Sequence, residues 1–168
     1  MLLASHVRSS AAAMCILVLT ATLSTAVAQQ KQKTVDELAK QADVVAVGRV
    51  TAMKSEWDEG KTRIITRVSL AVDEYLKEGT ERSRTVTIVT LGGEIGEVGE
   101  MYTHVPTFRQ SENVVVFLRK DDRGDYRVAG GTQGKYSIER DPESGTMVVA
   151  GSVEVGEFTR AVKRSANN

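Results

Sequence analysis

The sequence predicts a mainly β domain, a small barrel or sandwich opened by one short helix. Three observations lead there. Ile64, Thr66, Val68, Leu70 and Val72 alternate with Ile65, Arg67, Ser69 and Ala71, a period of two with one face toward a core. Short runs rich in β-branched residues recur along the chain, separated by Gly-, Asp- and Pro-containing turn signals. Helical spacing, by contrast, is confined to one short stretch near residue 35.

Residues 1–28 read as a secretory signal peptide. Arg8 supplies a positive start, and an apolar run leads through Ile16-Leu17-Val18-Leu19 to Ala26-Val27-Ala28, a small-x-small cleavage pattern. The alternative is a membrane anchor, for which Thr20, Thr22, Ser24 and Thr25 leave the run marginal. Cys15 lies inside the apolar run rather than after it, the wrong place for lipid attachment. The sequence therefore predicts export to the periplasm or beyond, with no stable membrane insertion after cleavage. Cleavage would remove 28 of 168 residues, with the only cysteine and His6, one of two histidines. The segment holds one of 22 basic residues and none of the 22 acidic ones, leaving 21 against 22, a net charge of −1. No basic run stands out and aromatic residues are 5% of the chain, so a nucleic-acid partner is not expected.

The elements follow in order. Residues 29–33 form a polar leader. Thr34-Val35-Asp36-Glu37 has the capping-box form, and Val35, Leu38, Ala39 and Ala42 continue at helical spacing for about two turns. Val44-Val45-Ala46-Val47-Gly48-Arg49-Val50 begins the strands. Strands are then expected over 64–72, 85–91, 113–118, 126–129, 136–138 and 147–150. Turns fall at Asp58-Glu59-Gly60, Glu78-Gly79-Thr80, 121–125 and 141–145. The domain is expected to span 34–158, followed by a frayed polar tail over 159–168 that carries Arg160, Lys163 and Arg164.

The most distinctive segment is Gly92-Gly93-Glu94-Ile95-Gly96-Glu97-Val98-Gly99-Glu100. Its spacing is not that of a dinucleotide loop, and its carboxylates would repel a pyrophosphate. Ala129-Gly130-Gly131-Thr132-Gln133-Gly134-Lys135-Tyr136 approaches a P-loop but lacks the first glycine and the final Ser/Thr, and strands flank it. Serine-type hydrolysis needs a base, and His104 is the histidine left to serve. No serine stands in a Gly-x-Ser-x-Gly elbow. Without cysteine, a structural zinc site is nearly excluded. No catalytic residue, metal or cofactor is therefore predicted. Glu94, Glu97 and Glu100 either offer oxygen ligands to calcium or form a solvated edge.

Trp57, the only tryptophan, stands in a charged stretch, where it either anchors a partner or lids the barrel. Pro106 fixes the chain direction and Phe108 returns it to the core. The long loop 92–108 is the expected contact surface, since such loops in compact domains are usually functional or disordered. Trp57, Glu94, Glu97, Glu100, Tyr102, His104 and Phe108 are the candidate residues for ligand or partner contact.

Several segments together resemble a family of secreted bacterial proteins of unknown function. They are 42–50, the Trp57 region, Val72-Asp73-Glu74-Tyr75-Leu76-Lys77-Glu78-Gly79, Leu91-Gly92-Gly93-Glu94-Ile95-Gly96, Pro106-Thr107-Phe108 and Val114-Val115-Val116-Phe117-Leu118. The likeness covers residues 35–140. The order of elements is also similar to the OB-type barrel of netrin-like domains, including tissue inhibitors of metalloproteinases. These resemblances imply an OB-like barrel of five to seven strands with one short N-terminal helix. Inhibitors of that type work through an N-terminal cysteine, whereas the expected mature start here is Gln29, so no inhibitory residue carries over. The expected function is a non-catalytic binding module for a secreted or envelope protein or glycan. The alternatives are a netrin-type protease inhibitor and, third, an enzyme joining His104 to the loop carboxylates.

Overall fold

A computed structural model of the protein describes residues 31–77, 79 and 83–166. The expected signal peptide, 1–28, lies outside the described residues, as does the start of the polar leader. The elements in chain order are α1 (Val35–Gln41), β1 (Val44–Trp57), β2 (Ile64–Lys77), β3 (Thr85–Leu91), β4 (Gly93–Ile95), β5 (Val98–Glu100), β6 (Asn113–Lys120) and β7 (Tyr126–Val128). A 3-10 turn (Gly131–Gly134) leads to β8 (Lys135–Arg140), β9 (Met147–Val149), β10 (Val153–Glu154) and α2 (Val155–Ala166).

Strands β1, β2, β3, β7 and β6 pair in that order, and β6 pairs back onto β1. The result is a closed five-stranded barrel, compatible with the OB type. Its seam between β3 and β7 is parallel and held by a single pair, Ile88↔Tyr126, while the other joins are antiparallel. Strands β8, β9 and β10 extend the sheet outward from β6. A β-bulge shifts the register between Val47 and Gly48. Any side chain at 48 would place its Cβ 2.2 Å from the Ala71 carbonyl oxygen, so only glycine allows β1 and β2 to approach there.

The two halves of the barrel bury differently, and the sequence patterns follow. β2 and β3 bury mainly one face and alternate. Residues 44–48 of β1 and 114–118 of β6 are covered on both. Val44, Ala46, Val50, Val114, Val116 and Leu118 fill the barrel with Val68, Leu70, Val86 and Ile88. Val45, Val115 and Phe117 face outward beneath the helices, against Leu38, Ala42, Phe158 and Val162. That is why residues 44–47 and 114–118 read as unbroken apolar runs.

The helix α1 has the expected capping box. The Glu37 amide donates to Thr34 Oγ1 at 3.2 Å, and the Thr34 amide donates to Glu37 Oε2 at 2.8 Å. At its other end Lys77 Nζ donates to the carbonyls of Ala39 (2.8 Å) and Ala42 (2.6 Å).

The expected polar tail is corrected. Residues 155–166 form α2, which packs on α1 and the outer face of the sheet. Phe158 and Val162, four residues apart, are buried, and Val155 packs beside them. The ring of Phe158 lies 4.7 Å from that of Tyr136. Lys163 pairs with Glu74 at 2.5 Å, so even the polar face is tied down. Among the described residues, no helix is long and apolar enough to cross a membrane.

Candidate functional site

The acidic loop is a hairpin rather than an irregular excursion. Strands β4 and β5 pair through Gly93↔Glu100 and Ile95↔Val98. Gly92 N–H donates to the Ile64 carbonyl (2.8 Å), and Thr66 Oγ1 donates to the Gly92 carbonyl (2.6 Å). Gly93 has φ 137°, and a Cβ there would sit 2.4 Å from both Ser55 Oγ and Thr66 Oγ1. Gly93 thus serves close seating of the hairpin on β1 and β2, while Gly96, at φ 60°, serves its turn.

The three carboxylates part company. Glu100 Oε2 accepts from Ile64 N–H (2.8 Å) and from Tyr102 O–H (2.9 Å), locking the hairpin's return strand to β2. The hydrogen bond to that carboxylate holds the Tyr102 hydroxyl pKa above its ordinary value. Glu94 and Glu97 stand exposed on the hairpin. Among the described residues no three His, Cys, Asp or Glu side chains converge as metal ligands. His104 sits at φ 63°, and its carbonyl accepts from Thr132 N–H at 3.2 Å. The residue lines a cavity of about 160 Å³ with Val89, Leu91, Val105 and Pro106, and neither Glu94 nor Glu97 is part of that lining. Phe108 is 7% exposed within the barrel core, with Lys135 Nζ 5.2 Å from its ring centroid. It is therefore a core residue.

Trp57 leads to a different place. It ends β1 opposite Ile64, is 41% exposed, and stands at the edge of a groove of about 800 Å³. The floor is the outer face of the barrel: Ile65 and Arg67 from β2, Val89 and Leu91 from β3, and Arg127 from β7. The β1–β2 turn forms one wall with Asp58, Glu59 and Arg63, and the β6–β7 turn forms the other with Arg123 and Asp125.

Both walls are fixed by the same device. Asp58 Oδ1 accepts from the amides of Thr62 (2.7 Å) and Arg63 (3.2 Å). Asp121 Oδ1 accepts from the amides of Arg123 and Asp125, each at 3.0 Å. An aspartate that begins a turn and caps its returning amides needs no outside partner to hold its shape. Over these walls runs a lattice of ion pairs. Arg67 Nε meets Glu56 Oε1 at 2.6 Å and its Nη1 meets Asp125 Oδ1 at 3.5 Å. Arg127 Nε meets Asp121 Oδ2 at 2.6 Å, Arg63 meets Asp58 at 3.6 Å, and Arg123 meets Glu59 at 3.8 Å. The hydrogen bond from Arg67 holds the Glu56 carboxyl below its ordinary pKa, and that from Arg127 does the same for Asp121. Arg67 and Arg127 are thus held in direction by short hydrogen bonds, while Arg63 and Arg123 stand near carboxylates at longer, more exposed distances.

Of the residues expected from the sequence, only Trp57 belongs to this groove. The arginines escaped notice because they converge from three segments distant in the chain. A signal did exist: Ile65 and Arg67 are the outward set of an alternating strand, yet they are too large and too mixed for a plain solvated face.

Fold and site together define a small closed β-barrel with an open, charge-balanced groove across one outer face. No protein-family model matches the chain, and no curated protein matches it significantly.

Proposed function

We propose that the protein is an exported, non-catalytic binding module of the bacterial envelope or its surroundings, with its ligand seated in the Trp57–Arg67–Arg127 groove. One observation carries the reading. The groove lies over β2 and β3, between the β1–β2 turn and the β6–β7 turn, the latter joining the fourth and fifth strands of the barrel. Barrels of OB type bind ligands on that face and between those two loops. This is an analogy at the level of fold, strengthened here by a local feature. The walls are pinned and the side chains paired before any ligand arrives, which lowers the ordering cost of binding.

The resemblance to secreted bacterial proteins supports the location and belongs to the same proposal, as does the likeness to netrin-like barrels. The occupant is a secreted or envelope protein or a glycan. The reading moves the contact surface from the hairpin to the groove. Capture from envelope extract by the purified protein tests it. Trp57→Ala and Arg67→Ala are expected to lose capture, while Glu97→Ala retains it. Equal capture by all four proteins would remove the groove from the proposal.

A further inference from the structure

We infer, resting on the groove reading above, that the occupant is an uncharged oligosaccharide. The first ground is charge. Arg63, Arg67, Arg123 and Arg127 are matched in the lining by Glu56, Asp58, Glu59 and Asp125. Each of the four arginines already has a carboxylate within 4 Å. A phosphate chain or sulfated glycan gains affinity when uncompensated protein cations displace the counterions condensed on it. Here each arginine already faces a carboxylate of the protein, so the groove offers no net positive charge to drive that exchange.

The second ground is hydrogen-bonding chemistry. A guanidinium has five N–H donors, and a carboxylate has about four lone-pair sites. Arg67 engages Glu56 through Nε and Asp125 through Nη1, leaving further N–H groups for a ligand. A sugar hydroxyl both donates and accepts, so one hydroxyl can bridge a carboxylate oxygen and the neighbouring guanidinium. A row of alternating pairs therefore matches a row of hydroxyls. A peptide backbone has no such alternation at one atom. Nor can a peptide add to β2 as a strand, because Ile65 and Arg67 are paired on both sides, with Glu56 and Lys54 of β1 and with Leu91 and Val89 of β3.

The third ground is the apolar component. Trp57 is 41% exposed at the rim, and the half-buried Ile65 and Leu91 supply apolar surface along the floor above a buried Val89. The C–H faces of a pyranose pack against an indole, while its equatorial hydroxyls reach the polar walls. A volume of about 800 Å³ suits a few sugar units.

The test uses the purified protein, with Trp57 emission and calorimetry as readouts. The probes are neutral tetrasaccharides (chito-, cello- and maltotetraose), a heparin tetrasaccharide, and cationic and acidic peptides. A neutral tetrasaccharide is expected to change the Trp57 emission saturably. Its calorimetric affinity should fall about tenfold in Arg67→Ala and in Trp57→Phe, a factor set by the loss of one good contact. It should change less than about twofold between ~0.05 and ~0.5 M salt, because no counterions are released. Unchanged thermal midpoints of both variants show that the effect is not unfolding. No neutral tetrasaccharide binding at about 10 mM, a weak limit for any specific site, overturns the inference. If heparin fragments or a peptide then bind in an Arg67-dependent way, the groove stands and the sugar falls. If Arg67→Ala and Trp57→Ala also capture normally from envelope extract, the groove reading falls with it.

Discussion

The hairpin and the groove use the same residue types to opposite ends. In the hairpin, Glu100 is turned inward onto Ile64 N–H and Tyr102, and Gly93 lets the ribbon lie on Ser55 and Thr66. Its polar groups hold the loop in place. In the groove, carboxylates and guanidiniums hold one another on an open wall, keeping donors and acceptors in excess. A polar group that meets a backbone amide of its own barrel is spent on architecture. One that meets a flexible side chain on an open face is oriented yet still able to share. The more conspicuous sequence motif thus belongs to the scaffold, and the scattered arginines form the surface that can act.

A buried ion pair sets the upper end of that contrast. Glu112, its side chain 5% exposed, accepts from Lys135 (2.7 Å), Ser137 (2.6 Å) and the Arg109 amide (3.0 Å) beneath the β6–β8 join. Burial pushes its pKa up, but these hydrogen bonds together hold it below the ordinary 4.5. Glu112→Gln would leave Lys135 buried without its counter-charge and is expected to cost about 3 kcal/mol by chemical denaturation. A lowered folded pKa gives stability that is present above pH 4.5 and lost as pH falls through the folded value. The wild type should therefore weaken on acidification below that point, and Glu112→Gln should weaken less steeply there.

The next effect separates hairpin from groove. Glu100→Ala removes the acceptor of Ile64 N–H and is expected to cost about 1–2 kcal/mol. Amide exchange should accelerate over residues 93–100, with groove binding intact. Arg67→Ala should behave in reverse. Its side chain is 41% exposed and its carboxylate partners are half-buried, and ion pairs this open to solvent contribute little to stability, so denaturation should barely move while ligand capture is lost. The smallest effect is expected from Glu97→Ala, with neither stability nor capture changed, since its exposed side chain has no role in the seating of the hairpin. A loss of capture in Glu97→Ala with retention in Arg67→Ala would invert the comparison.

Much of the barrel was legible in the sequence, because its strands are written in local patterns. The capping box marks α1, alternation marks β2, and β-branched runs mark β1 and β6. The helix α2 was hidden because its buried stripe is only Val155, Phe158 and Val162 in a segment dominated by charge. Strands β4 and β5 were hidden for a related reason. Each is three residues long with Gly and Glu at two of the three positions, so pairing comes from seating on Ser55 and Thr66 rather than from propensity. The groove was least legible. Its charges meet only after β3 and β7 are brought together through the parallel seam, a contact no local pattern records.

Hydrogen–deuterium exchange of the protein, with and without the ligand fraction captured from envelope extract, tests the central claim most directly. Protection is expected over residues 56–67, 89–91 and 121–127, with 93–100 unchanged. Protection confined to 93–100 would contradict it and return the contact surface to the hairpin.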